Sequence, residues 1–164
     1  MPFSPDIVVT TEDTPGMLLL VETRLSSQDR SQDEPELKSY MYLMRCPVGL
    51  FITPDEIAVY RDTYTSLSEQ SVRRVGTFPA PKNWAVFKAP HYGTDRPPTW
   101  NTDLALRFEK NVQSWLEQLR SLPFDDVKGI PEETREALVD YVVPALFQGI
   151  VRAGGPHEVR VESN

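Results

Sequence analysis

Apolar and polar positions change rhythm along the chain, and the changes mark its elements. Ile7-Val8-Val9-Thr10 is a β-branched run, and Met17 to Leu25 is a second apolar run that carries Glu22-Thr23-Arg24 near its end. Thr11 to Gly16 (TEDTPG), between them, has the composition of a turn. Two strands joined by so short a loop predict an antiparallel hairpin. Closed symmetrically about Thr14, the hairpin sets Asp6 opposite Glu22. Side chains alternate along a strand, so Glu22 and Arg24 turn to one face. Leu25 to Glu34 is polar and aperiodic, which predicts a loop. From Asp33 to Arg45 the period becomes helical: Leu37, Met41 and Met44 fall on one stripe, with Pro35 in the first turn and Asp33 as cap. Val48 to Thr53 and Glu56 to Arg61 read as strands on either side of a Pro54-Asp55 turn. Val72 to Pro79 reads as an edge strand with a bulge at Gly76.

The second half has a different rhythm. Ala80 to Asn101 is rich in proline and carries Trp84, Phe87, Tyr92 and Trp100. Within it Trp84 to Phe87 suggests a short strand, and the rest a long irregular connection. Leu104, Phe108, Val112, Trp115 and Leu119 recur at helical spacing, which predicts a helix capped at Asn101 or Thr102 and running to Arg120. A second helix is predicted from Pro131, with Leu138, Tyr141, Val142, Ala145, Leu146 and Ile150 on its apolar face. Pro144 should kink it, and Gly154-Gly155 should stop it. Val159 and Val161 allow a last short strand or an ordered tail.

The charges in the first hairpin suggest a chemistry. Two facing carboxylates, Asp6 and Glu22, make a hard, oxygen-rich pair suited to Mg²⁺ or Mn²⁺. Such an ion can polarise a phosphodiester and activate a water, and a nearby cation such as Arg24 can offset charge in the transition state. The same spacing also fits the solvated end of a surface hairpin. Glu36 and Tyr40, one turn apart, share a helix face beside the buried stripe.

The order of these motifs resembles that of the PD-(D/E)xK nuclease-like superfamily. It looks most like the N-terminal nuclease domain of type I restriction endonuclease motor subunits and their small stand-alone relatives. The matching residues are Pro5-Asp6, Val21-Glu22-Thr23-Arg24, Glu36-Leu37-Lys38-Ser39-Tyr40, and the strand pair Gly49 to Thr53 and Ile57 to Tyr60. The resemblance covers about the first third of the chain and implies a restriction-endonuclease-like mixed sheet; with the helices read from periodicity, the chain is expected to be α+β, a nuclease-like core over residues 1–88 followed by two long C-terminal helices over 102–153, in a single domain spanning 1–164. The resemblance also implies Asp6, Glu22 and the Thr23 carbonyl as ligands of Mg²⁺ or Mn²⁺, Arg24 or Lys38 as the catalytic cation, and Glu36 and Tyr40 in support. This chain departs from the family at three places. The family's catalytic Lys is Arg24, which keeps its charge but cannot give up a proton. The Gln that opens the helix motif is Glu36, and Lys38 stands about 200° around the helix from it. The acid-bearing helix that usually precedes the Asp strand is absent or replaced from elsewhere.

Whole-chain quantities bound these readings. The 164 residues suffice for one domain with a sizeable core, and 40% hydrophobic with 25% charged residues is an ordinary soluble composition. No apolar run is long enough to span a membrane and no signal peptide is evident, so a cytoplasmic protein is expected. One cysteine, Cys46, and two histidines exclude a disulfide framework and a Cys/His zinc site, and Cys46 reads as a small core residue at a helix end. His91 reads as a surface residue, and Arg73-Arg74 as solvated edge-strand charge. A net charge of −7 disfavours broad nucleic-acid binding without forbidding a local contact. Trp115, Leu119, Tyr141, Leu146 and Ile150 suggest more apolar surface than one sheet face covers, hence a homodimer or a partner subunit. Three functions follow from this: a metal-dependent DNA endonuclease or nuclease subunit, a degenerate nuclease-like binding or assembly module, and an oligomeric accessory or scaffold protein.

Overall fold

The computed structural model describes residues 4–12, 16–26, 30–88, 98–121 and 123–154. The hairpin forms as its pattern dictates. β1 (Ile7–Thr10) pairs antiparallel with β2 (Met17–Thr23), Ile7 against Val21 and Val9 against Leu19. That register continues outward to set Asp6 against Glu22, and the Asp6 N–H donates to the Val21 carbonyl at 3.0 Å. The turn's central residues, 13–15, lie outside the described ones; at its base the Thr11 N–H donates to the Gly16 carbonyl at 2.9 Å.

Helix α1 (Arg30–Met44) crosses from β2 to β3 (Val48–Ile52), which lies parallel to β2. Leu37 and Met41 are its buried residues. The helix begins before the expected Asp33 cap, so Pro35 lies inside it. Asp33 is instead free to turn its carboxylate to Arg24. β4 (Glu56–Asp62) returns antiparallel to β3 after the predicted turn, where Thr53 Oγ1 accepts from the Asp55 and Glu56 N–H groups at 3.2 and 3.1 Å. β5 (Val72–Pro79) forms the predicted edge, with a register shift where Gly76 pairs with Val59. Arg73 and Arg74 on it are exposed, as expected of edge charge.

The second half departs from its pattern in four ways. Lys82–Phe87 is a 3₁₀ turn and not a strand; it buries Trp84, whose ring meets Trp115 and Phe108 edge-on at 4.9 and 5.5 Å. Helix α2 (Pro98–Ser121) starts ahead of the expected Asn101 or Thr102 cap, because Pro98 is itself suited to a first helical turn. The second long helix is broken into α3 (Glu132–Ala137), a π-helical turn over Leu138–Val142, and α4 (Val143–Gln148). The π turn ends at Val142, two residues before Pro144, whose missing N–H and ring disrupt the regular ladder where a kink was expected. The helix then stops at Gly149, and Ile150–Ala153 forms β6, antiparallel to β1. Ile150, expected on a helix face, is a strand residue. The sequence candidates His91, Tyr92, Val159 and Val161 lie outside the described residues, and so does most of the irregular stretch before α2.

The architecture is therefore mixed α+β, on a six-stranded mixed sheet in the order β5-β4-β3-β2-β1-β6. Alternation splits the core in two. Ile7, Val9, Leu19, Val21, Leu50, Ile52, Ile57 and Val59 face the C-terminal helices, while Leu20, Phe51, Ala58 and Tyr60 face α1. Covered on both sides, β2 and β3 read as nearly continuous apolar runs. Gly49 lets α1 approach, since a Cβ there would stand 2.5 Å from the Met41 sulfur. Cys46 is fully buried beside Met41, where its thiol donates to the Val48 carbonyl and burial pushes its pKa up to about 12, so it is the core residue expected. Trp115, Leu119 and Leu146 are buried against the sheet, and Tyr141 packs at the margin of the same core. Of the residues that suggested a homodimer, Trp115, Leu119 and Leu146 are thus covered within the chain, while Tyr141 and Ile150 are half-buried. Among the described residues no helix is long and apolar enough to cross a membrane.

Candidate functional site

Asp6 sits in a bend just ahead of β1, and its backbone is fixed on both sides. Its N–H donates to Val21 on β2, and its carbonyl accepts from the Gly154 N–H at the end of β6, at 2.7 Å. Gly154 is required by this approach, because a Cβ there would fall 1.9 Å from the Pro5 carbonyl oxygen. The Asp6 side chain is 5% exposed as a residue and turns to Thr23. Its Oδ2 accepts from the Thr23 N–H at 2.8 Å and from Thr23 Oγ1 at 3.0 Å. These two fixed donors hold the carboxylate in one orientation.

Glu22, 2% exposed, lies at the end of β2 and hydrogen-bonds Asp6 through its carboxyl. Burial first, then the hydrogen bond and charge of Asp6, push its pKa up to about 10 against the pull of Arg24. Two buried carboxyls in contact oppose each other's ionisation, so the shift belongs to the pair and not to either acid. Arg24 follows β2 directly, its backbone N–H anchored to the Ile52 carbonyl at 3.0 Å. Burial opposes its charge, but Glu22 first, then Asp33 and Asp6, hold the guanidinium above its usual pKa.

One nitrogen of that guanidinium gathers the site. Arg24 Nη1 donates to the Thr23 carbonyl at 2.8 Å, ion-pairs with Glu22 Oε1, and lies 3.7 Å from Asp6 Oδ2. These are the three residues whose oxygens the resemblance nominates for a divalent ion. Nε of the same side chain donates to Asp33 Oδ2 on α1 at 3.0 Å.

A third acid enters from a place the sequence reading missed. Glu109, on α2, forms a side-chain hydrogen bond with Asp6. Burial, then the charge of Asp6 and that hydrogen bond, raise its pKa to about 8, against Lys110 and Arg24. A signal was available. Glu109 stands in the i, i+3, i+7 row with Val112 and Leu116, both buried, so it is a charged residue at a core-facing position of its helix.

The other candidates lie elsewhere. The Lys38 ammonium pairs with Glu34 at 3.5 Å, one helical turn away, and Glu34 also accepts from the Tyr60 hydroxyl and pairs with Arg74. That geometry directs Lys38 towards the β5 side of α1, not into the Asp6 and Glu22 cluster. Glu36 is exposed. Tyr40 packs beside the core under α1, and burial raises its pKa.

The donor chemistry suits a hard cation: two carboxyl groups and a backbone carbonyl already converge on one positive nitrogen. Among the described residues no group of three or more His, Cys, Asp or Glu is arranged to hold a metal ion, so the fit rests on the carboxyl pair and the carbonyl. No family model, curated protein or solved structure matches the chain.

Proposed function

We propose that the chain carries a metal-dependent phosphodiesterase site of the PD-(D/E)xK nuclease type, acting on DNA alone or as a nuclease subunit, with Asp6, Glu22 and the Thr23 carbonyl as donors to Mg²⁺ or Mn²⁺. The observation that supports it is the convergence of those three oxygens on a single cationic nitrogen. When bound, the ion supplies a Lewis acid for the phosphodiester and lowers the pKa of a water. The rest follows from the chain's own groups. Thr23 holds the Asp6 carboxylate in one orientation through two donors. Glu109 places a third carboxyl beside Asp6, its pKa raised by burial and by Asp6, which suits general acid–base work. Arg24 supplies a fixed positive charge, and the net charge of −7 leaves the grip on DNA to local cations or to a partner.

A second reading, a nuclease-like module kept for binding or assembly without catalysis, is favoured by the same nitrogen, because Arg24 already neutralises the donors. Cleavage of duplex, single-stranded and branched DNA separates the two. The nuclease reading expects cleavage that depends on Mg²⁺ or Mn²⁺ and disappears in Asp6→Asn and in Glu22→Gln. Intact DNA throughout, with no Mn²⁺ heat in calorimetry, leaves the binding module.

A further inference from the structure

We infer that Arg24 is a resident counter-ion that closes the site, so that a divalent ion binds only when the guanidinium leaves. The inference rests on the reading of Asp6, Glu22 and Thr23 as ion donors. One nitrogen, Nη1, donates to the Thr23 carbonyl, ion-pairs with Glu22 and lies 3.7 Å from Asp6 Oδ2, so a divalent ion among the same oxygens would be strongly repelled by it.

Exposure gives the arrangement a direction. The side chains of Glu22 and Asp6 are 2% and 7% exposed, whereas that of Arg24 is 34% exposed. The guanidinium therefore stands between the acids and solvent, on the side from which an ion must arrive. Asp33 holds it by Nε, the guanidinium nitrogen nearest the backbone, and is itself 24% exposed. The guanidinium is a rigid plane, so it swings outward as a unit through its side-chain torsions, towards the partly exposed Asp33. Two arrangements result. In the closed one Nη1 caps the donors. In the open one the donors face solvent and Arg24 keeps Asp33 as its partner.

A ligand that binds only the open arrangement sees its affinity reduced by the open fraction. With a minor state populated at roughly 1–10%, the reduction is about 10- to 100-fold. Removing the guanidinium charge should recover that factor.

The test is Mn²⁺ calorimetry on the full chain, comparing wild type with Arg24→Met and Arg24→Gln, each with and without Asp6→Asn. The expected result is Mn²⁺ affinity about 10- to 100-fold tighter in both neutral variants, lost again on adding Asp6→Asn. Thermal melts give an independent readout: the neutral variants should gain more melting temperature from Mn²⁺ than wild type does. If they are unfolded without ion, circular dichroism should show Mn²⁺ restoring their structure, and failure to do so overturns the inference. Unchanged or weaker Mn²⁺ affinity in both variants, with Asp6-dependent binding kept by wild type, overturns the inference and leaves the donor set standing. Absence of Mn²⁺ binding in wild type and in folded variants overturns the donor set itself, and the closing role of Arg24 with it.

Discussion

Asp6 and Asp62 are two solutions to one problem. Each is 5% exposed, and each accepts from one backbone N–H and one hydroxyl: Asp6 from Thr23 N and Oγ1 at 2.8 and 3.0 Å, Asp62 from Tyr64 N and Ser71 Oγ at 2.8 and 2.7 Å. At Asp62 these neutral donors belong to a turn in which Tyr64 holds a positive φ of 57°, and the carboxylate braces that strained backbone. At Asp6 the same two donors are present, and onto them the fold adds Glu22, Glu109 and Arg24. A buried aspartate with two donors is thus sufficient for structure. Burial and Asp6 raise the pKa of each additional acid, so these acids need a reason beyond folding.

The sharpest way to break this contrast is to remove each charge in turn. Asp62→Asn should lose about 1–3 kcal/mol in urea unfolding, as charge-assisted bonds to a buried turn become ordinary ones. Asp6→Asn suffers the same weakening but relieves Glu22 and Glu109, so its net loss should stay below about 1 kcal/mol at pH 8. Equal losses would place Asp6 in the same structural class as Asp62.

Alkaline pH sharpens the contrast further. The pKa values of Glu22 and Glu109 are raised on folding, to about 10 and about 8. The folded state therefore binds more protons than the unfolded state above the usual carboxylate range. The stability these groups contribute is full below that range and declines as pH rises towards 8 and then 10. Urea midpoints should fall from pH 5 to pH 9 in wild type and in Asp62→Asn, and fall less in Glu22→Gln. The same proton must leave when a cation binds, so Mn²⁺ affinity should rise with pH, by up to about tenfold per unit between pH 6 and 8. Affinity that is flat over that interval would show that Glu22 is already ionised.

The smallest effect is expected at Lys38. Its half-exposed pair with Glu34 contributes about 0.3–0.5 kcal/mol at most. Lys38→Ala should leave Mn²⁺ affinity unchanged, and a loss of binding would bring Lys38 back into the site.

What the sequence disclosed follows from the range of each interaction. The register of β1 on β2 was legible because a short turn constrains it, and that placed Asp6 against Glu22. The edge strand with its bulge at Gly76 was legible because backbone geometry alone sets it. Glu109 was hidden because only tertiary packing of α2 brings it to Asp6, although its place among Val112 and Leu116 carried a hint. β6 was hidden because Ile150 continues the helical spacing of Leu146, although Gly149 is itself a helix-stop signal. Lys38 pointed away because its i, i+4 partner Glu34 was available on its own helix.

The pairing of β1 with β6 has a consequence for how the protein is made. Ile7 lies against Ala153, and the Asp6 carbonyl accepts from Gly154. The first described strand is therefore gripped by the last. Contacts so distant in sequence form slowly, since closing the loop between them carries a large entropy before any reward. On a ribosome the hairpin emerges early and must wait, one flank of β1 unpaired, until residues 150–154 are synthesised. A fragment ending at residue 88 holds Asp6, Glu22 and Arg24 but lacks both Glu109 and the strand that secures Asp6. The carboxyl cluster is thus assembled late from the two extremes of the described chain, and a truncated translation product would not carry it.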